Sequence, residues 1–118
     1  MESGDFSMNC IFCSIVAGEI PAAIVAKNDS AIAFDDINPQ APTHVLIIPT
    51  SHYENVGELA SADARSLQAL FELAKEIAAS RELAGYRTVF NTGVEAGQSV
   101  FHAHMHLLGG RDFKWPPG

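Results

Sequence analysis

Apolar residues recur along this chain with two different periods. From Cys10 to Ala17, Ile11, Phe12, Ile15 and Val16 fall at helical spacing until Gly18 and Pro21 interrupt them, which predicts a short helix. Ala23 to Ala26 and Ala31 to Phe34 read as two strands of a hairpin turning at Asn28-Asp29-Ser30. Asp35 to Pro42 is a loop stiffened by Pro39 and Pro42. His44 to Ile48 is an apolar, β-branched run expected as a buried strand closed by Pro49. The clearest helix spans Ala62 to Ser80, with Leu67, Leu70, Phe71, Ala74, Ile77 and Ala78 on one face, Ser61 as its N-cap and Asp63 in its first turn. Tyr86 to Asn91 and Val100 to Leu108 complete the strands, separated by a loop containing Gly93 and Gly97. Strands adjoin strands more than they alternate with helices, so the fold class is α+β.

Length and pattern fit one domain over residues 10–118, after a tail at 1–9 and including a C-terminal tail at 111–118. The formal charge is −7, with 14 acidic against 7 basic residues. That excess argues against a nucleic-acid backbone as partner, because such binding needs clustered Lys and Arg. A single phosphate remains compatible, since backbone N–H groups and a few imidazoles can hold it. No apolar run is long enough for a membrane helix, and Met1 to Asn9 lacks the layout of a signal peptide, so a cytoplasmic location is expected.

The informative segment is Phe101-His102-Ala103-His104-Met105-His106-Leu107-Leu108. On a strand, side chains alternate, so the three histidines would share one face, roughly 6.6–6.8 Å apart along the chain. Phe101, Ala103, Met105 and Leu107 would then pack toward the helix. One histidine on its own is usually structural. Three of the chain's five on one face are not explained by folding, because clustered imidazoles repel once protonated. Two chemistries fit: a metal site, or attack on phosphorus by a nucleophilic histidine. Gly97-Gln98-Ser99 just upstream favours the second, because glycine lets backbone N–H groups approach phosphate and Ser99 adds a hydroxyl.

The run from Gln98 to Leu108 resembles the signature of the histidine triad (HIT) superfamily, in which three histidines alternate with apolar residues. Asp36 to His44 and the Trp115-Pro116-Pro117-Gly118 ending extend the similarity to its Hint branch. The resemblance implies a five-stranded antiparallel sheet with one long and one short helix, continued across a homodimer. It implies hydrolysis of purine nucleoside phosphoramidates through a nucleotidyl-histidine intermediate, with no cofactor required. By the same resemblance His104 is the nucleophile, His102 supports it through its carbonyl, and His106 and His44 surround the phosphate. Ser99 contacts phosphate or leaving group, Gly97 and Gln98 shape the pocket, and Asn91 lies beside the phosphate. Asp36 would accept from the ribose hydroxyls, with Ile11, Phe12, Phe34 and Ile37 around the base. Trp115, on a stiff tail, is expected to pack rather than stand exposed, and in relatives the tail reaches the neighbouring subunit's site.

Cys10 and Cys13 have zinc-like spacing, and a disulfide is not expected in a cytoplasmic chain. Resemblance to some bacterial HIT proteins adds His52 and His102 as the other ligands of a candidate structural zinc site; the alternative is two small buried thiols. Two further functions compete with the phosphoramidase. One is a dinucleoside polyphosphate hydrolase of the same superfamily, and the other is a purine nucleotide-binding adaptor without catalysis.

Overall fold

The computed structural model describes residues 10–118; the expected tail at residues 1–9 lies outside them. Its centre is a five-stranded antiparallel sheet in the order β1-β2-β3-β5-β4. The strands are β1 (Ile24–Lys27), β2 (Ala31–Asp35), β3 (Thr43–Pro49), β4 (Tyr86–Val89) and β5 (Met105–Gly109). The helices are α1 (Ile11–Val16), α2 (Val56–Ala62) and α3 (Ala64–Ser80), with one 3₁₀ turn at Val94–Ala96. None is long and apolar enough to cross a membrane.

Every residue of β3 is buried, because the strand is central and both of its faces are covered. Val45 and Ile47 join the core under α3, with Ala31, Ala33, Leu70, Leu73, Met105 and Leu107. Leu46 and Ile48 point the other way and pack with Cys10, Phe12, Cys13 and Phe34. Two-sided burial is why this strand reads as an unbroken apolar run rather than an alternating one. The second, smaller core seats α1 on the sheet, and that seat carries the chemistry described below.

Four sequence expectations need correction. A further helix, α2, precedes the long one, so the described residues hold one long and two short α-helices. Asn55 caps α2, its Oδ1 accepting from the Glu58 N–H at 2.9 Å. The long helix begins at Ala64 and is capped by Asp63, not Ser61; the Asp63 side chain accepts from both the N–H and the hydroxyl of Ser66. Its buried stripe runs through Leu70, Leu73, Ala74 and Ile77, whereas Phe71 is 46% exposed. Finally, β5 starts at Met105, not Val100, which leaves His102 and His104 ahead of the strand and Phe101 largely exposed rather than packed on the helix.

Candidate active site

Side-chain alternation survives in the segment before β5 even though its ladder does not. Ala103, Met105 and Leu107 enter the core under α3, and His102, His104 and His106 take the opposite side. The His104 and His106 rings lie 5.1 Å apart. Phe12 of α1 meets the rings of His102 and His104 edge-on, at 5.9 and 5.1 Å.

The hydrogen bonds fix which nitrogen of each ring carries its proton. His104 Nδ1 lies 2.8 Å from the main-chain carbonyl of His102. A carbonyl oxygen only accepts, so Nδ1 bears the proton and Nε2 keeps its lone pair. On the opposite side of the site, the Gln40 N–H donates to His44 Nδ1 at 3.0 Å. His44 must then carry its proton on Nε2, which stands 2.9 Å from His106 Nδ1 and 3.4 Å from Asp36 Oδ2. His106 Nδ1 therefore accepts, and His106 carries its own proton on Nε2. The neighbouring rings of His104 and His106 hold opposite tautomers: a lone pair on one Nε2, an N–H on the other.

Burial favours the neutral forms of His102, His104 and His106. It is the largest influence on His106, which is pushed down to about 4, helped by the imidazoles of His104 and His44 and opposed by Asp36. Burial also lowers His104, against the opposing effects of the His102 carbonyl and Asp36. His102, fully buried, is lowered to about 4 mainly by the same cause, with the Pro49 carbonyl opposing. A neutral imidazole with an available lone pair at pH 7 is what nucleophilic attack on phosphorus requires.

Two groups of metal-ligand type occur among the described residues. In the first, Cys10 Sγ and Cys13 Sγ lie 3.4 and 3.5 Å from His102 Nδ1, and Cys13 Sγ lies 3.3 Å from His52 Nδ1. Ligands around tetrahedral zinc stand about 3.6 Å apart for a sulfur–nitrogen pair. His102 donates from Nε2 to the Pro49 carbonyl at 2.9 Å, which leaves Nδ1 unprotonated toward the thiols. A backbone acceptor behind a ligating imidazole is the usual support of a metal-bound histidine. The donor set thus fits zinc. The second group, Asp36, His44 and His106, fits poorly. The Gln40 N–H already occupies His44 Nδ1, so His44 Nε2 is a donor and not a ligand.

The other residues singled out in the sequence are placed as follows. Asp36 Oδ1 accepts from the Asn38 N–H at 2.8 Å, and its second oxygen faces His44. Phe12 and Phe34 pack edge to face at 5.6 Å and are nearly buried. Among the described residues Ile11 is half exposed and Ile37 fully exposed. Val89 pairs with His106, and Asn91 lies two residues beyond the end of β4. Ser99 is exposed. The Gln98 side chain braces the loop before the histidines: its Oε1 accepts from the Gly93 N–H and its Nε2 donates to the carbonyls of Glu54 and Val100. Gly97 has a φ of +97°, a left-handed conformation that favours glycine, and a Cβ there would meet no protein atom. Trp115 does not pack against the described residues and is 83% exposed. The tail before it is anchored at Phe113, which lies between the guanidinium groups of Arg87 and Arg111.

The sequence reading did not single out Gln40 or Pro49, whose backbone groups orient His44 and His102. No side-chain pattern signals which backbone N–H or carbonyl will be used, although the paired prolines around Gln40 mark a rigid loop.

A family model described as the C-terminal binding region of the scavenger mRNA decapping enzyme matches residues 9–114. The chain is 47% identical over 112 residues to a 14 kDa zinc-binding protein of Zea mays, covering 92% of this chain and 87% of that protein. It is 43% identical over 112 residues to adenylylsulfatase HINT1 of Arabidopsis thaliana, covering 92% of this chain and 76% of that one. A HIT family hydrolase from Legionella pneumophila superposes with a TM-score of 0.88 at 47% identity, over 93% of this chain and all of that one.

Proposed function

Because the chain belongs to the histidine triad superfamily, we propose that it is a hydrolase that cleaves P–N bonds of purine nucleoside phosphoramidates, such as AMP joined to an amine. The observation that carries this reading is the 2.8 Å bond from His104 Nδ1 to the His102 carbonyl, which leaves Nε2 as an aimed nucleophile. In the first step His104 Nε2 attacks the α-phosphorus, a His–P bond forms and the P–N bond breaks. The amine leaves with a proton, and the Nε2–H of His106 and the Ser99 hydroxyl are the donors disposed to assist it or to hold the phosphoryl oxygens. In the second step water attacks phosphorus, its proton passing to the group that protonated the amine, and the His–P bond breaks. AMP is released and His104 regains its lone pair. Dividing the displacement in two gives each half an easier barrier.

In the free protein His106 is neutral at pH 7 and acts as a hydrogen-bond donor. A bound anionic phosphoryl group favours the imidazolium form, so His106 becomes a stronger acid only with substrate present. Asp36 is disposed toward the ribose hydroxyls and Asn91 toward the phosphate. Phe12 and Phe34 form the floor, and Ile11 and Ile37 the exposed walls, of the base site. The exposed Trp115 suits a tail that completes the site of a second subunit in a homodimer. Catalysis requires no cofactor. Cys10, Cys13, His52 and His102 would hold a structural zinc ion, which ties α1 to the segment before β5.

A second substrate class is favoured by the Arabidopsis relative's name. In adenylyl sulfate the same α-phosphorus is attacked, but sulfate departs without needing a proton. A His106→Ala variant should therefore lose phosphoramidate cleavage far more than adenylyl sulfate cleavage. The deciding assay is release of a fluorescent amine from an adenosine phosphoramidate by wild type and His104→Ala. We expect the variant to lose at least about 10³-fold in kcat/KM. Tight AMP binding without turnover by wild type would favour a binding module instead, and selective cleavage of diadenosine polyphosphates the other hydrolase branch. Zinc near one equivalent per chain supports the metal site, and less than about a tenth removes it.

A further inference from the structure

His102 belongs to two sites at once. Its ring Nδ1 faces Cys10 and Cys13, and its main-chain carbonyl holds the proton of His104. The carbonyl lies in a segment that precedes β5 and so lacks ladder hydrogen bonds to fix it. The segment is tied down by the Ala103 N–H, which donates to the Tyr53 carbonyl at 2.7 Å, and by the His102 ring on Pro49. Tyr53 adjoins His52, itself 3.3 Å from Cys13 Sγ. Phe12, beside Cys13 on α1, forms an edge contact with the His104 ring. Three routes therefore lead from the cysteine–histidine cluster to His104: the His102 carbonyl, the Tyr53 carbonyl and the Phe12 ring.

We propose that metal occupancy of the Cys10–Cys13–His52–His102 cluster sets the tautomer and aim of His104, so that the cluster positions the nucleophile as well as stabilising the fold. The inference rests on reading His104 as nucleophile and the cluster as a zinc site. Thiol–imidazole contacts are weak hydrogen bonds, whereas four metal–ligand bonds would hold α1, His52 and His102 to one point. Without the ion, the segment carrying the His102 carbonyl is held by the Pro49 and Tyr53 carbonyls and by packing. The His104 proton then samples both nitrogens, and the lone pair on Nε2 is no longer always present.

Cys10, Cys13 and His52 act through His102 and are positioning residues. The test compares zinc-loaded protein with protein stripped by a chelator under reducing conditions and with the stripped protein reloaded with zinc or cadmium. The first readout is the imidazole ¹⁵N spectrum of His104 at pH 7.5, which needs no substrate. The loaded protein should give one tautomer with the proton on Nδ1, the stripped protein an averaged signal, and the reloaded protein the first again. The second readout is the adenosine phosphoramidate assay. Its kcat should fall about 10-fold or more on stripping, with KM changed by less than about 3-fold, as expected for a misaligned nucleophile with intact binding.

A His52→Gln variant, which retains three ligands, serves if the stripped protein unfolds. It should show the averaged signal at substoichiometric zinc and recover at excess. A single Nδ1–H tautomer in folded, metal-free protein overturns the proposal, as does failure to take up zinc. Loss of stability with an unchanged tautomer would reduce the cluster to a structural clamp and also overturn it. If no phosphoramidate is cleaved but the spectrum responds to zinc, the coupling stands and the substrate assignment falls.

Discussion

Replacing His106 by Asn should make the protein more resistant to acid. His106 is neutral in the fold, its pKa lowered from 6.5 to about 4 chiefly by burial. The sign follows from linkage. A histidine lowered on folding binds more protons in the unfolded chain, so stability is intact above 6.5 and drains as pH falls toward 4. With those two values, the loss from this one side chain between pH 7.5 and pH 5 integrates to about 2 kcal/mol. Partial exposure of the ring reduces it to about 1–2 kcal/mol. Asn does not titrate, and its Oδ1 can accept from His44 Nε2 as His106 Nδ1 does, so the 2.9 Å bond keeps a partner. Urea unfolding at the two pH values reads the difference. The wild-type midpoint should fall between pH 7.5 and 5 by roughly 0.5–1 M more than the variant's, for a urea slope near 2 kcal/mol/M. Titratable groups away from His106, and any zinc lost at pH 5, act on both proteins and cancel. Equal acid losses in the two proteins would refute the claim that His106 is held neutral by the fold.

Three further outcomes are expected. The acid limb of kcat/KM on an adenosine phosphoramidate should have its midpoint below pH 6.5, because burial lowers His104; a midpoint at or above 6.5 would mean an ordinary, solvated imidazole. Gln98→Ala should cost about 2–3 kcal/mol in chemical denaturation, since it leaves the Gly93 N–H and the carbonyls of Glu54 and Val100 without their side-chain partner; a change under about 0.5 kcal/mol would show that water replaces it. Deleting Trp115 to Gly118 should alter the ranking of amine leaving groups while leaving the melting temperature within a few degrees, because Trp115 is exposed on its own chain; unchanged kinetics over several amines would remove the tail from the site.

Much of the fold was legible because one-sided burial imposes a period on the sequence. All five strands were located, with ends differing by one or two residues except at β5, and α+β followed from their order. Helix α2 has a readable start in the sequence, since Asn55 followed three residues later by Glu58 is an N-terminal capping pattern, though Gly57 inside it lowers its helical propensity. Phe71 falls at helical spacing with Leu67, Ala74 and Ala78 but lies at the margin of the buried stripe. Its neighbours Leu70, Leu73 and Ala74 fill the stripe one residue to the side, and that displacement is decided by packing. In the candidate site the side-chain types were legible, and the tautomers were not. They depend on the Gln40 N–H and the carbonyls of Pro49 and His102, which are backbone groups that every sequence contains.

The early end of β5 has a physical reason that joins fold to function. In the register of β3 and β5, Ile47 stands opposite Met105, so a continued ladder would bring Ala103 opposite Pro49. The structure exchanges those partners. The Pro49 carbonyl accepts from the His102 ring, and the Ala103 N–H turns to the Tyr53 carbonyl. With the ladder ended, the His102 carbonyl is open to hold the His104 proton at 2.8 Å. A strand carried through His102 would direct that carbonyl along the sheet and leave His104 without its acceptor. The alternating pattern that makes the three histidines conspicuous also makes them look like one strand. The chemistry assigned to His104 requires the strand to stop between the second and third of them.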